Sequence, residues 1–320
     1  MSAVALTTEE QFALERRSYI GGSDMAAIYG VSPYTTAVEL WLEKTGRRRP
    51  RRRSKAEQRI LDAGKRLEPI IVDMTIEKLR DEGHDVELIA RNKRYFDAEY
   101  PFLSCEIDFE LMLDGEHING DAKTVRGLAK TQWGDEETDE MPLHYHVQFM
   151  HGLGITGKRR CIVSPMMSLD AVGTYWAERD DEVIAAMRAK AVEFWNDCIL
   201  GDKVPDIMRF DDVKAIYPID NGKSIEADQP TAIKVERLRS IKEQIKSWEN
   251  EAESLQLDIA EFISPHSILT IGGEPVLTWK AQEARRLDQE ALEREHPDLF
   301  AKFKTTSYQR VMRFKKRKHS

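Results

Sequence analysis

At 320 residues and 36.9 kDa, the chain has room for one large domain or for a core domain with an appendage. A hydrophobic content of 41% with 32% charged residues is that of a folded protein with much solvated surface. Residues 1–10 lack the basic start and apolar run of a signal peptide. No apolar stretch reaches membrane-spanning length, so a soluble, cytoplasmic protein is expected. Cys105, Cys161 and Cys198 are too scattered for a disulfide framework or a Cys-rich metal site, and read as reduced core thiols. The formal net charge is −8, yet the basic residues are clustered, at Arg47–Lys55, Lys158–Arg160 and Arg313–Lys318. Three such runs favour a polyanionic partner.

Along the chain, the pattern predicts a short helix over Gln11–Arg17, a glycine turn at Gly21-Gly22, and a second helix over Met25–Tyr29 capped by Ser23 or Asp24. Backbone N–H groups exposed after two glycines would suit a phosphate. From Lys55 to Asp81 the apolar positions recur at helical spacing, with Pro69 expected to kink or restart the helix beside Glu68. The period then changes. Val86–Ala90, Tyr95-Phe96, Leu103–Leu113 and His117–Val125 read as strands, the last two joined by a turn at Asp114-Gly115. A helix over Pro142–Thr156, strands at Arg160–Ser164 and Val172–Ala177, and a helix over Arg179–Gly201 complete a mixed sheet flanked by helices, an α/β (α+β) arrangement. Asp211–Pro230 reads as a linker, dividing residues 1–210 from a helical extension over 231–320. In that extension Leu238, Ile241, Ile245, Trp248, Ala252, Leu255, Ile259 and Phe262 alternate steps of three and four, a heptad-like stripe that needs a partner. A hairpin over Ser267–Lys280, turning at Gly272-Gly273, and a helix over Leu287–Phe303 follow.

The chemistry concentrates in the first hairpin. Asp121 and Lys123, two apart on a strand, point to one face. Asp108 on the partner strand brings a second carboxylate, and Glu68 on the preceding helix a third. Magnesium takes oxygen ligands and is held by a few carboxylates together with substrate phosphate, and Mn²⁺ suits the same donors. An adjacent lysine can orient the attacking water and offset charge growing on phosphate.

In order, Arg16–Asp24, Gly64–Pro69, Ile107-Asp108, Asp121-Ala122-Lys123 and His146-Val147-Gln148 resemble the motifs of the YqaJ-type viral recombinase, or lambda exonuclease, family, over about residues 11–200. Asp121 stands where many relatives carry Glu, and Ile107 replaces a common proline. The resemblance implies a restriction-endonuclease-like PD-(D/E)xK core. It also implies Mg²⁺-dependent 5′-to-3′ degradation of one strand of linear duplex DNA to mononucleotides. A homotrimeric ring, a single-strand-annealing recombinase partner and a phage or prophage origin come with it. Carried over by motif, Glu68, Asp108 and Asp121 would be metal ligands, Lys123 the catalytic lysine and Gln148 its support. Arg17 or Arg16, with Ser23, would anchor the 5′ phosphate. A structure- or sequence-specific endonuclease on the same core, and a non-catalytic DNA-binding scaffold built on the extension, are the competing readings. An iron–sulfur nuclease would need four cysteine ligands, and the chain has three.

Overall fold

The computed structural model describes residues 14–48, 54–306 and 308–315, and the chain divides into two compact units after Ile216. The Gln11 start of the first expected helix, Arg49, Arg51, Arg52 and Arg53 of the first basic run, and Lys316–Lys318 of the last lie outside the described residues. Among the described residues no helix is long and apolar enough to cross a membrane.

In the first unit, helices α1 (Gly22–Ile28), α2 (Ala37–Lys44) and α3 (Lys55–Asp81) precede strands β1 (Val86–Phe96), β2 (Ser104–Leu113) and β3 (Glu116–Thr124). Helix α4 (Leu143–Thr156), strands β4 (Arg160–Met166) and β5 (Tyr175–Glu178), and helices α5 (Asp181–Glu193) and α6 (Phe210–Ile216) follow. Between α5 and α6 the helix continues as a π turn, Phe194–Leu200. The sheet runs β1-β2-β3-β4-β5, antiparallel except for the parallel β3–β4 pair. Asp114 and Gly115, with φ of 48° and 82°, form the two-residue turn that the right-handed twist of a hairpin favours.

Alternation along the strands separates two cores. Phe109, Leu111, Leu113, Ile118 and Ile162 pack against Val72, Ile76 and Leu79 of α3. Cys161, Val163, Tyr175 and Ala177 pack instead with α1, α2, α4 and α5. The three cysteines are buried and free; burial holds the Cys105 thiol up at about 12 and Cys161 well above its ordinary value, so both stay protonated.

Several local expectations change. Helix α3 runs through Pro69 without a break; the residue is exposed, so the carbonyl that loses its partner faces water. Val86–Ala90 and Tyr95-Phe96 are one strand, irregular at Leu88/Ala90 and with Asn92 at φ 51°. Helix α1 starts at Gly22 with Gly21 as cap, and it is Asp24, not Ser23, that accepts the Gly21 N–H, at 3.0 Å. Helix α6 occupies the start of the segment read as linker. Its buried Asp212 accepts the Arg209 N–H at 2.9 Å and the Thr36 hydroxyl at 2.6 Å, tying it to the cap of α2.

In the second unit, α7 (Gln229–Ile263) is followed by the hairpin β6 (Ile268–Ile271) and β7 (Glu274–Thr278). The last expected helix is two, α8 (Gln289–Glu295) and α9 (Pro297–Phe303), divided where Pro297 can only begin a new helix.

Candidate active site

β2 pairs with β3 only from Phe109 to Leu113, and there the Phe109 ring lies across Gly120, where a Cβ would meet it at 2.2 Å. Where this ladder ends, the Asp108 carboxylate replaces a backbone partner and accepts the Ala122 N–H at 2.9 Å. Asp108 is thereby fixed opposite Asp121-Ala122-Lys123. Asp121 is 5% exposed and ion-paired through Oδ1 with Lys123.

Helix α4 covers this point with one face. Gln148 donates from Nε2 to Asp121 Oδ2 at 3.3 Å, and the rings of Tyr145 and Phe149, three and one residues away, stand 5.2 and 5.6 Å from Lys123 Nζ. Gly22 lets α1 approach α4: a Cβ there would stand 2.8 Å from Gln148 Cγ. Glu68 enters from α3, half-buried.

The electrostatics are those of acids short of positive charge. Burial, then Asp108, pushes the Glu68 carboxyl above its ordinary value, against a hydrogen bond from Asn92. Asp121 is pushed up to about 7, by burial first and then by Asp108 and Glu68, with Lys123 opposing. Burial alone would lower the Lys123 amine, but Asp121 and Asp108 outweigh it and hold it above its usual value. The oxygen donors and their mutual repulsion fit a divalent cation. Among the described residues, however, no three Asp, Glu, His or Cys groups stand at ligand spacing, so the carboxylates would have to close around an ion.

A cavity of about 230 Å³ joins this cluster to the glycine turn. Arg16, Tyr19, Gly22, Ser23 and Arg94 line one part of it; Asp108, Asp121 and Gln148 line another. Arg16 binds Asp24 Oδ1 at 2.8 Å through Nη2, while its Nε is buried without a hydrogen-bond partner. Lys44, its side chain fully buried, donates to Asp24 Oδ2 at 2.8 Å and to the Arg16 and Tyr19 carbonyls. Burial raises Asp24, but Lys44 and Arg16 prevail and hold it below the usual carboxylate range. Arg16 thus brings its guanidinium to the cavity wall beside a carboxylate that it shares with Lys44. Arg17 turns elsewhere, its guanidinium against Gly46.

The structure thus gathers Asp121, Lys123 and Gln148 in direct contact, fixes Asp108 on the Ala122 N–H beside them, brings Glu68 within their field, and sets Arg16 and Ser23 in the same cavity while leaving Arg17 out. Sequence reasoning missed Asn92, Tyr145, Phe149 and the Lys44–Asp24 brace. Tyr145 and Phe149 could have been found as the residues sharing a helical face with Gln148. The second basic run is largely spent within the fold: Lys158 pairs with buried Glu110 and Arg160 with Glu116. In the first run, Arg47 pairs with Asp202 and Arg48 with Glu39.

Among solved structures, the chain is similar to an alkaline exonuclease from Laribacter hongkongensis, with 16% identity over 61% of this chain and 94% of that one, at a TM-score of 0.43. A phage-related exonuclease from Haemophilus somnus 129PT matches at 12% identity over 58% of this chain and 96% of that one, at a TM-score of 0.40. In sequence, the chain is 28% identical over 308 residues to the uncharacterized protein YqaJ of Bacillus subtilis (strain 168), covering 94% of this chain and 92% of the relative. The family model for the YqaJ-like viral recombinase domain matches residues 11–159, a span that holds every motif residue from Arg16 to Gln148. Residues 11–159 are thus similar to the YqaJ-like viral recombinase domain.

Proposed function

We propose that the first unit is a Mg²⁺-dependent exonuclease that degrades one strand of linear duplex DNA from its 5′ end to mononucleotides, leaving a 3′ single strand. The observation that carries this reading is the single cavity with a cationic wall at Arg16 and an acidic wall at Asp108 and Asp121. An end-directed enzyme needs both within reach of one substrate end, and both face this cavity of about 230 Å³.

In this reading Glu68, Asp108 and Asp121 would hold Mg²⁺, with Mn²⁺ as a substitute. The bound metal would supply Lewis-acid polarisation of the phosphoryl group. Lys123, held protonated by Asp121 and Asp108, orients the attacking water and offsets charge growing on the phosphate. Gln148 gives its amide N–H to Asp121, leaving its carbonyl oxygen to accept a hydrogen bond from that water. Tyr145 and Phe149 shield the lysine from bulk solvent. Arg16 and Ser23, which line that cavity, bind the 5′ phosphate, so a one-nucleotide advance restores the same bound end. The family's trimeric ring and single-strand-annealing recombinase are the partners this role calls for, in a phage or prophage setting within the bacterial cytoplasm.

Linear and covalently closed duplexes of equal sequence, incubated with Mg²⁺, test the proposal. Degradation of the linear form alone, lost with EDTA and in Lys123→Ala, is expected. Cutting of closed circles at a similar rate would make the protein an endonuclease.

A further inference from the structure

Helix α7 carries its heptad stripe in the open. Trp248 is 66% exposed, Phe262 78% and Leu255 55%, on a helix of 35 residues. Isolated apolar residues on a surface are ordinary, but a seam repeated every 3.5 residues is the form of a helix that packs against another helix. Among the described residues most of that seam stays exposed. Phe314 stacks on Arg239 at 5.1 Å, one position off the stripe.

The charge along α7 is segregated. Its first half, to Lys246, carries Lys234, Arg237, Arg239, Lys242 and Lys246 against Glu236 and Glu243, a net of +3. Its second half carries Glu249, Glu251, Glu253, Asp258 and Glu261 and no basic residue, a net of −5. A parallel partner of the same sequence would set like charge against like along the whole length. An antiparallel one sets the basic half of each helix beside the acidic half of the other.

We propose that α7 pairs antiparallel with α7 of a second copy of this chain. Centred between residues 248 and 252, the seam closes in complementary layers: Leu238 opposite Phe262, Ile241 opposite Ile259, Ile245 opposite Leu255. At the middle, Trp248 meets Ala252, whose small side chain leaves room for the indole. The layers alternate a and d positions across the pair, as antiparallel coiled coils require. Only the centre is electrostatically unfavourable, where Glu249 of each helix meets Glu251 of the other, so orientation is set by the two ends. The contact is two-fold, with each copy giving the same surface. It is independent of the nuclease reading and of any ring formed by the first unit.

Cross-linking of the full chain decides orientation and occupant together. Residues 238 and 262 lie 24 positions apart, about 36 Å along the helix at about 1.5 Å per residue. Leu238→Cys alone and Phe262→Cys alone should therefore give no disulfide-linked dimer under oxidation, whereas their mixture should. The three native cysteines are buried and do not compete. Sedimentation should show the native mass falling by half in Ile245→Asp/Leu255→Asp, with circular dichroism reporting that the first unit stays folded. Dimers in either single-cysteine sample would mean a parallel pairing and overturn the proposal. So would the absence of cross-links in the mixture, or a mass unchanged in the double variant.

Discussion

Asp121→Asn separates the charge logic of the site from its chemistry, because it can be read in stability without any substrate. In the folded protein the Asp121 carboxyl lies at about 7 against an ordinary 3.8. A carboxylate raised on folding binds its proton more tightly in the native state. Its effect is destabilising, starting as pH rises past about 4 and complete above about 7. At about 1.4 kcal/mol per pH unit, a shift of this size amounts to a few kcal/mol, more than half of it falling between pH 5 and pH 8. Lys123 does not interfere in this window: its raised amine contributes stability that is constant below pH 10 and lost only at higher pH. Thermal unfolding in EDTA should therefore show the wild type losing roughly 5–10 °C relative to Asp121→Asn between pH 5 and pH 8. Mg²⁺ at 10-fold over its dissociation constant should return about 1.4 kcal/mol at pH 8. It should return far less at pH 5, where the proton competes with the metal. Parallel melting of the two proteins across pH, or an equal Mg²⁺ response at both pH values, would refute the picture of acids awaiting a cation.

Other consequences follow from particular contacts. Gly22→Ala places a methyl 2.8 Å from Gln148 Cγ. Overpacking of about 1–3 kcal/mol, partly offset by the better helix former, leaves a folded protein, and nuclease turnover should fall much more than the melting temperature. Phe109→Ala empties the core over Gly120 and should cost about 3–5 kcal/mol in chemical denaturation. Arg16→Ala should lower degradation of 5′-phosphorylated ends about tenfold or more while affecting 5′-hydroxyl ends little. Arg17→Ala should affect both ends equally and less, and the reverse order would move the anchor to Arg17.

Much of this was legible because the signals were local. Asp114-Gly115 between alternating strands names its own hairpin, and Asp-x-Lys in a strand places acid and amine on one face whatever surrounds them. The steps of three and four in α7 likewise survive any context. What was lost was either overlooked or not local. Helix α2 begins with Thr36 and Glu39, a reciprocal cap written in the sequence, and Pro297 marks the division of α8 from α9. By contrast, β1 keeps its strand through charged Arg91, Lys93 and Arg94 because it pairs with β2 along its length, a non-local cause. The choice between Arg16 and Arg17 is also tertiary. It is made by buried Lys44 and Asp24, which hold the Arg16 carbonyl and guanidinium while Arg17 folds against Gly46. Asn92, whose backbone takes the left-handed conformation, hydrogen-bonds Glu68 across from strand to helix, a contact no local pattern announces.

The central claim is metal-dependent hydrolysis from a 5′ end at the Asp121–Lys123 cluster. Linear duplex DNA labelled at the 5′ or the 3′ terminus, digested with Mg²⁺ by the wild type and by Lys123→Ala, tests it most directly. Early release of the 5′ label as a mononucleotide, absent with EDTA and in the variant, is the predicted result. Early release of the 3′ label, or 5′ release undiminished in Lys123→Ala, would contradict the account.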